Sequence, residues 1–482
     1  MLKQKAKSAV LWSGADILLR QGLQFGISIA LARLLSPEEF GIIALLYLFT
    51  GIASAFVDSG FSAALVQRQD VTHTDESTVF WFNLAMALIV ALALAASASA
   101  IAGFFNRAIL VPLTQVLAVN IFISALGSVH GTLLNKRLDF KIQMKIGAVT
   151  TVISGSVAMI MAWDGYGVWA LAAQTLAASL ITTVLLWLFS SWRPRWVFSH
   201  DSVRRLFGFG GYMLASGLLD IIYNRIYTLL IGKFYGVQEL GFYNRADSTK
   251  QLPVGVLTGI LGRVAFPIFS AAAHDTTQLR RGVRLALRGM MLLNVPMMLG
   301  LAATADPIIH VFFGEKWLPA VPIMQVLCIG GIFWPLHVIN LNVLMAQGHS
   351  NLFFRLEVIK KILGSILLVV GTFYGVIGIA WSQVIFGGVA FLINAHFSRK
   401  YLDYGVVDQL LDFLPVLGLS LIMATTAYCI GINWHSNSNV LLLSTQIIVS
   451  IFLFISLGWL TGLTEIRNVS KLLCDKIRFF YA

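Results

Sequence analysis

Along this chain, apolar runs of roughly 20 to 29 residues alternate with short polar stretches rich in Gly, Pro, Lys and Arg. A helix that crosses a ~30 Å hydrocarbon core needs about 20 predominantly apolar residues, so each run is long enough to span a bilayer. Cutting at the polar stretches predicts about fourteen spans, roughly 9–34, 40–66, 78–104, 110–134, 143–163, 167–190, 209–232, 241–269, 286–305, 320–346, 356–374, 377–397, 413–432 and 439–462. Loops between them stay near or below about 20 residues, too short to form a separate water-soluble domain. The predicted fold class is an all-α integral membrane protein.

Composition agrees. Of 482 residues, 58% are hydrophobic and 12% charged, against roughly a quarter charged in soluble domains. The excess of 34 Lys and Arg over 22 Asp and Glu would suggest nucleic acid in a soluble protein; here its placement sets topology. Inner segments collect Lys3 to Lys7, Lys136 to Lys145, Arg193 to Arg205, Arg280 to Arg288, Arg355 to Lys361 and Arg467 to Arg478. Outer ends receive Arg33, Arg107, Lys233, Arg245 and Lys316. By the positive-inside rule this predicts a multi-pass membrane protein with both termini cytoplasmic. The opening MLKQKAK resembles a signal peptide, but the apolar run continues to Leu35, carries Asp16 and Arg20 and offers no convincing cleavage site. It is expected to be a retained first helix. Cys328, Cys429 and Cys474 lack metal or disulfide spacing and read as packing residues. No Walker A loop, GxGxxG, HExxH or GxSxG is present, so no nucleotide-driven or hydrolytic chemistry is expected.

An internal duplication emerges at an offset of about 200 residues, the kind of repeat from which transporters are built. SPEEFG (Ser36 to Gly41) aligns with GVQELG (Gly236 to Gly241). At the same offset the first span carries Asp16, Arg20, Gln24 and Ser28, and the seventh Ser216, Asp220, Asn224 and Thr228. Both are polar stripes at steps of four, a single helical face suited to a shared cavity rather than to lipid. This predicts two six-helix lobes, 1–200 and 201–400, followed by two further helices and a basic tail at 401–482.

An ionised side chain at mid-bilayer costs roughly 2.5 to 3.5 kcal/mol, so such residues normally face a partner or water. Candidates for substrate binding are Arg20, Arg225, Gln24, Asn224, Lys250 and Arg263; candidates for ion coupling are Asp16, Asp58 and Asp220. The functional reading is a cationic cavity, and the competing one is structural ion pairs that lock helices together. Lys250 and Arg263 also have stems long enough to snorkel to an interface. A guanidinium stays charged and grips phosphate with two parallel hydrogen bonds, which suits a pyrophosphate head. Helix breakers (Gly22, Gly26, Pro253, Gly255, Gly259, Pro296, Pro322, Pro335) are candidate hinges or packing contacts. Trp12, Tyr212, Tyr223, Tyr227 and Tyr243 would either stack on sugars or belong to the interfacial belt. His130 and His337 stand as isolated histidines within spans, expected as hydrogen-bonded core residues.

Four blocks carry a resemblance: LARLLSPEEFG (Leu31 to Gly41), DSGFSAALVQR (Asp58 to Arg68), GFYNRAD (Gly241 to Asp247) and LGRVAFPIFS (Leu261 to Ser270). They resemble the polysaccharide transport family of the multidrug/oligosaccharidyl-lipid/polysaccharide exporter superfamily, most closely the colanic-acid-type exporters. The resemblance implies two pseudo-repeated six-helix lobes around a central cavity. It also implies a non-enzymatic flippase that moves an undecaprenyl-pyrophosphate-linked oligosaccharide to the periplasmic leaflet by alternating access. Related lipid-linked peptidoglycan precursor flippases use cavity arginines, including ones on the first helix, the role that Arg20 fits best. No cofactor is expected beyond a proton or sodium gradient; implied partners are the lipid-linked sugar, membrane lipids and polysaccharide polymerase machinery, with no nucleic acid. A drug/cation antiporter and a membrane-embedded glycan polymerase or ligase are the alternatives. The first would favour carboxylates over arginines in its cavity, and the second would need a large extracytoplasmic loop.

Overall fold

The computed structural model describes residues 19–68, 70–272, 275–348, 350–434 and 438–463, without the side chains of 256, 259–268, 270–271 and 350. Among the described residues the chain is helical, with no strand. Helix α1 covers 19–34. It is followed by α2 (Pro37–Asp58), α3 (Phe61–Gln67), α4 (His73–Phe105), α5 (Leu110–Lys136), α6 (Phe140–Trp163), α7 (Val168–Phe189), α8 (His200–Phe234) and α9 (Val237–Ala271). Then come α10 (Thr276–Ala303), α11 (Ala305–Ile308), α12 (Ala320–Gly331), α13 (Trp334–Ala346), α14 (Ser350–Thr372), α15 (Gly375–Leu402), α16 (Val406–Ile432) and α17 (Asn439–Leu460). Among the described residues eleven segments are long and apolar enough to cross a membrane, with α12 and α13 together forming one of them. The more charged α1, α9 and α14 coincide with the three other predicted spans.

Local sequence sets where helices begin. Ser36 Oγ accepts from the Glu39 amide while Glu39 Oε2 accepts from the Ser36 amide at 2.6 Å, and Pro37 occupies the first turn. Thr72 and Asp75 repeat this reciprocal box at the start of α4. Each cap satisfies two amides that the helix leaves unpaired and is worth about 1 kcal/mol.

The chain divides into two compact units, Met1–Asn244 and Arg245–Ala482, with the boundary inside α9. In the first, α4 packs on α5, α5 on α7, α6 on α7 and α8 on α2. Its core includes Phe61, Phe80, Val129, Leu133, Trp192 and Leu206. In the second, α10 packs on α16 and α12, and α14 on α15. Leu279, Val283, Leu287, Met291, Val295 and Met298 form one buried stripe of α10 at helical spacing, against Leu336, Ile339 and Val343 of α13.

The two halves of the duplicated motif meet each other inside the first unit. Gly41 lies against the backbone carbonyl of Val237, and Gly241 lies against that of Pro37. Each glycine thus touches the repeat counterpart of the residue that its own counterpart touches, a local pseudo-two-fold contact between the starts of α2 and α9. Neither position leaves room for a methyl group. The sequence similarity therefore has a packing reason: both glycines bring helix backbones into direct contact. Gly41→Ala and Gly241→Ala should each destabilise the protein by about 1–3 kcal/mol through overpacking. A lower melting temperature in detergent is the expected readout; unchanged melting of both variants would show that the contact is slack.

Candidate functional site

The polar stripes lie on α1 and α8. On α1, Arg20 is half-buried and its Nη2 donates to the carbonyl of Gln143 at 3.3 Å. Gly147, one turn further along α6, makes the space: a methyl there would stand 2.6 Å from Arg20 Cζ. Gln24 is exposed and Ser28 half-buried. On α8, Asp220, Asn224 and Arg225 are exposed, whereas Thr228 is buried. Among the described residues Arg225 makes no hydrogen bond or ion pair; Tyr47 of α2 lies within its electrostatic reach. Tyr47 is in turn bonded to Thr175 of α7 at 3.1 Å.

Arg225 stands about nine residues from the end of α8, roughly 14 Å along its axis. An exposed charge facing acyl chains at membrane depth would cost several kcal/mol. Asp220 and Asn224 share one exposed face of α8, with Arg225 beside Asn224 on the flank of that face.

The remaining predicted residues divide differently. Asp58 is a capping residue: its Oδ1 accepts from the amide and hydroxyl of Ser62, and Thr132 of α5 donates to Ser62 Oγ at 2.9 Å. Lys250 is buried and its Nζ sits 2.7 Å from Asp247 Oδ1, one turn earlier on α9, beside Gly331 of α12. Its charge is matched within its own helix. Asp16 and Trp12 lie outside the described residues, as do the side chain of Arg263 and most side chains of the LGRVAFPIFS block.

Several charged groups that sequence reading treated only as topology markers are structural. Asp75 is buried at the start of α4 and receives Arg205 Nη2 of α8 at 2.5 Å. Asp412 of α16 accepts Arg284 through Nε and Nη2 at 2.6 and 2.7 Å, Arg288 Nη2 at 2.6 Å and the Tyr404 hydroxyl at 2.7 Å. Burial, and then the bond to Asp412, raise the pKa of the Tyr404 phenol above its ordinary value. It remains a donor at any physiological pH. The signal available in sequence was the four-residue spacing of Arg284 and Arg288, which puts both on one face of α10.

The span predicted at 320–346 is broken at 332–333, between α12 and α13, with Pro335 in the first turn of α13. Asn294 of α10, fully buried, donates to the freed carbonyls of Gly331 and Ile332 at 3.1 and 3.3 Å. A break at membrane depth persists where such a partner is supplied. One turn beyond it, His337 is hydrogen-bonded as expected: Asn394 Nδ2 of α15 lies 2.9 Å from His337 Nδ1.

Comparison with known proteins places this geometry. A family model described as "Polysaccharide biosynthesis protein" matches residues 30–322. The chain is 33% identical to the teichuronic acid biosynthesis protein TuaB of Bacillus subtilis, over 72% of each chain. It is 27% identical to the lipopolysaccharide biosynthesis protein WzxC of Escherichia coli, over 77% of this chain and 76% of that one. Among solved structures, the lipid II flippase MurJ in an inward closed conformation superposes with a TM-score of 0.75 at 17% identity, covering 94% of this chain and 98% of that one. An inward-facing multidrug resistance MATE transporter of the MOP superfamily superposes at 0.61 and 16% identity, covering 80% and 94%. These likenesses establish the fold, and the sequence matches bear out the resemblance carried by the four blocks.

Asp412→Asn should lower stability by about 1–3 kcal/mol, discounted for the partial exposure of both arginines, because it removes the anion that two guanidinium groups share. Thermal unfolding in detergent measures it, and an unchanged melting temperature would refute the claim that this cluster anchors α16 on α10.

Proposed function

The chain belongs to the polysaccharide biosynthesis protein family, and from that premise we propose that it is a flippase for a polyprenyl-pyrophosphate-linked oligosaccharide, working in a bacterial inner membrane with both termini cytoplasmic. The observation that carries this reading is Arg225: a guanidinium deep in an apolar helix, exposed beside Asn224 and, among the described residues, without an ion pair or hydrogen bond. Asp75, Asp412, Asp247 and Glu357 each hold a cation already. Arg225 is set apart from them and available to an anionic head.

Arg20, steadied by the Gln143 carbonyl, supplies the second guanidinium, and Gln24 and Asn224 supply amides for the sugars. The polyprenyl tail stays in lipid. Reorientation by alternating access then delivers the cargo to the other leaflet, and a proton or sodium gradient drives the cycle. Asp220 lies one turn before Asn224 on the same exposed face, where its carboxylate would repel the pyrophosphate and favour release. The carrier performs no bond chemistry; polysaccharide polymerases consume what it delivers.

Reconstituted in liposomes with a fluorescent polyprenyl-pyrophosphate oligosaccharide, Arg225→Ala and Arg20→Ala should each reduce leaflet transfer at least about tenfold, the loss expected from one charge-assisted phosphate contact. Insertion into the membrane should be unaffected. Gly147→Val should act as a weaker Arg20→Ala, since it pushes the guanidinium from its seat without changing charge. Wild-type transfer rates in both arginine variants would sink the anion-binding role of this face, and transfer of organic cations in place of the anionic probe would favour an antiporter.

A further inference from the structure

In the first unit the segment that joins α7 to α8, residues 190–199, lies as an irregular strap across the start of α4. Three hydrogen bonds tie its backbone there. The Arg195 amide donates to Ser77 Oγ at 3.1 Å, Trp81 Nε1 donates to the Arg195 carbonyl at 2.8 Å, and the Ser199 amide donates to Thr78 Oγ1 at 3.2 Å. Trp192 anchors the other end of the strap: it is buried, stacked on His73 at 5.8 Å and edge-on to His130 at 5.0 Å. Hydropathy places the start of the α4 span at about residue 78, so the strap runs along a membrane boundary, at the end that the charge distribution predicts as cytoplasmic.

Though firmly tied, the strap presents apolar and cationic side chains outward. Trp196 is 88% exposed although its ring stacks on Trp81 at 4.2 Å, and Val197 and Phe198 beside it are 43% and 49% exposed. Arg193 is also exposed, yet its guanidinium is fixed. Nη1 donates to the carbonyls of Ser190 and Trp192 at 2.6 and 2.7 Å, Nη2 donates to that of Trp187 at 2.8 Å, and the group lies 5.5 Å from the centre of the Trp187 ring. Carbonyl oxygens orient this charge without neutralising it. Neither Arg193 nor Arg195 pairs with a carboxylate among the described residues, and Asp75, the buried carboxylate beneath the strap, already holds Arg205. Between Ser190 and Arg205 the sequence carries four arginines and one carboxylate, Asp201, so the local charge is positive. Membrane-boundary tryptophans are common. A guanidinium set in place by three carbonyls beside one is the arrangement of an anion site.

We propose that the strap between α7 and α8 is a binding site for an anionic phospholipid, with Arg193 and Arg195 on the head-group phosphate and Trp196, Val197 and Phe198 against the glycerol and the upper acyl chains. This goes beyond the flippase reading and does not depend on it. The charge selects the lipid: a zwitterionic head would bring its own cation beside two unneutralised arginines, whereas an anionic head brings none. The exposed apolar run selects a lipid over a free phosphate, which would leave those side chains in water. The site is also distinct from the proposed cargo face, because Arg225 lies about 25 residues along α8 from the strap, roughly 37 Å. A lipid held here fixes the α7 to α8 connection to the membrane boundary.

The test uses the full chain in nanodiscs of phosphatidylcholine and phosphatidylglycerol, with bromine on the acyl chains of one lipid at a time. Quenching of Trp196 fluorescence, isolated by subtracting the signal of Trp196→Phe, reads which lipid occupies the strap. Wild type should prefer phosphatidylglycerol severalfold, and the preference should shrink as salt is raised. Arg193→Gln and Arg195→Gln should each lower it about fivefold, the weight of one basic residue at an anionic membrane surface. Arg193 also holds backbone carbonyls, so if Arg193→Gln does not fold, Arg195→Gln decides, since the Arg195 side chain makes no hydrogen bond or ion pair among the described residues. Arg137→Gln, which removes an exposed arginine from the turn after α5, should leave the preference unchanged. Equal quenching by both lipids overturns the proposal, as does an Arg137→Gln loss as large as that of Arg195→Gln, which would reduce the effect to general surface charge. Displacement of the brominated lipid by stoichiometric polyprenyl pyrophosphate would give the strap to cargo instead, and displacement by millimolar inorganic phosphate would give it to a free anion; either result also overturns the proposal.

Discussion

A charge removed from water must find another charge, a polar surface or a price of several kcal/mol, and that constraint organises this protein. The described helices carry their ions in matched sets. Asp75 takes Arg205, Asp412 takes Arg284 and Arg288, Asp247 takes Lys250 and Glu357 takes Lys360. Each set joins helices or neutralises a buried amine. Against that background an arginine deep on α8 with none of these partners is meaningful, because apolar surroundings would not tolerate it.

The same constraint governs the backbone. Where the span at 320–346 breaks, the freed carbonyls of Gly331 and Ile332 are met by the buried amide of Asn294. At the outset of α2 and α4, reciprocal side-chain caps do the same for unpaired amides. Gly41 and Gly241 solve the complementary problem of bringing two helix starts close enough that carbonyl oxygens rest on Cα atoms. Two of the blocks that carry the resemblance are thus helix starts and close contacts. SPEEFG caps α2 and holds one glycine of the reciprocal pair, and GFYNRAD holds the other. It also contains Arg245, whose guanidinium lies 4.7 Å from the Phe313 ring and 4.9 Å from that of Trp317.

By itself the sequence determined that the chain is an all-α protein with many helices long and apolar enough to span a membrane, and where most of those helices lie. Those properties follow from the length of apolar runs and from periodicities local to each helix, which need no knowledge of neighbours. It also marked Arg20 and Arg225 as charges at depth. Only the tertiary structure decided which charges have partners, because ion pairs such as Arg284 with Asp412 join residues far apart in the chain. Asp58 became a cap, Lys250 half of an ion pair, and His337 the partner of Asn394 on another helix. Pairing depends on which faces come together, and helix packing sets that through contacts whose sequence separation no local pattern encodes.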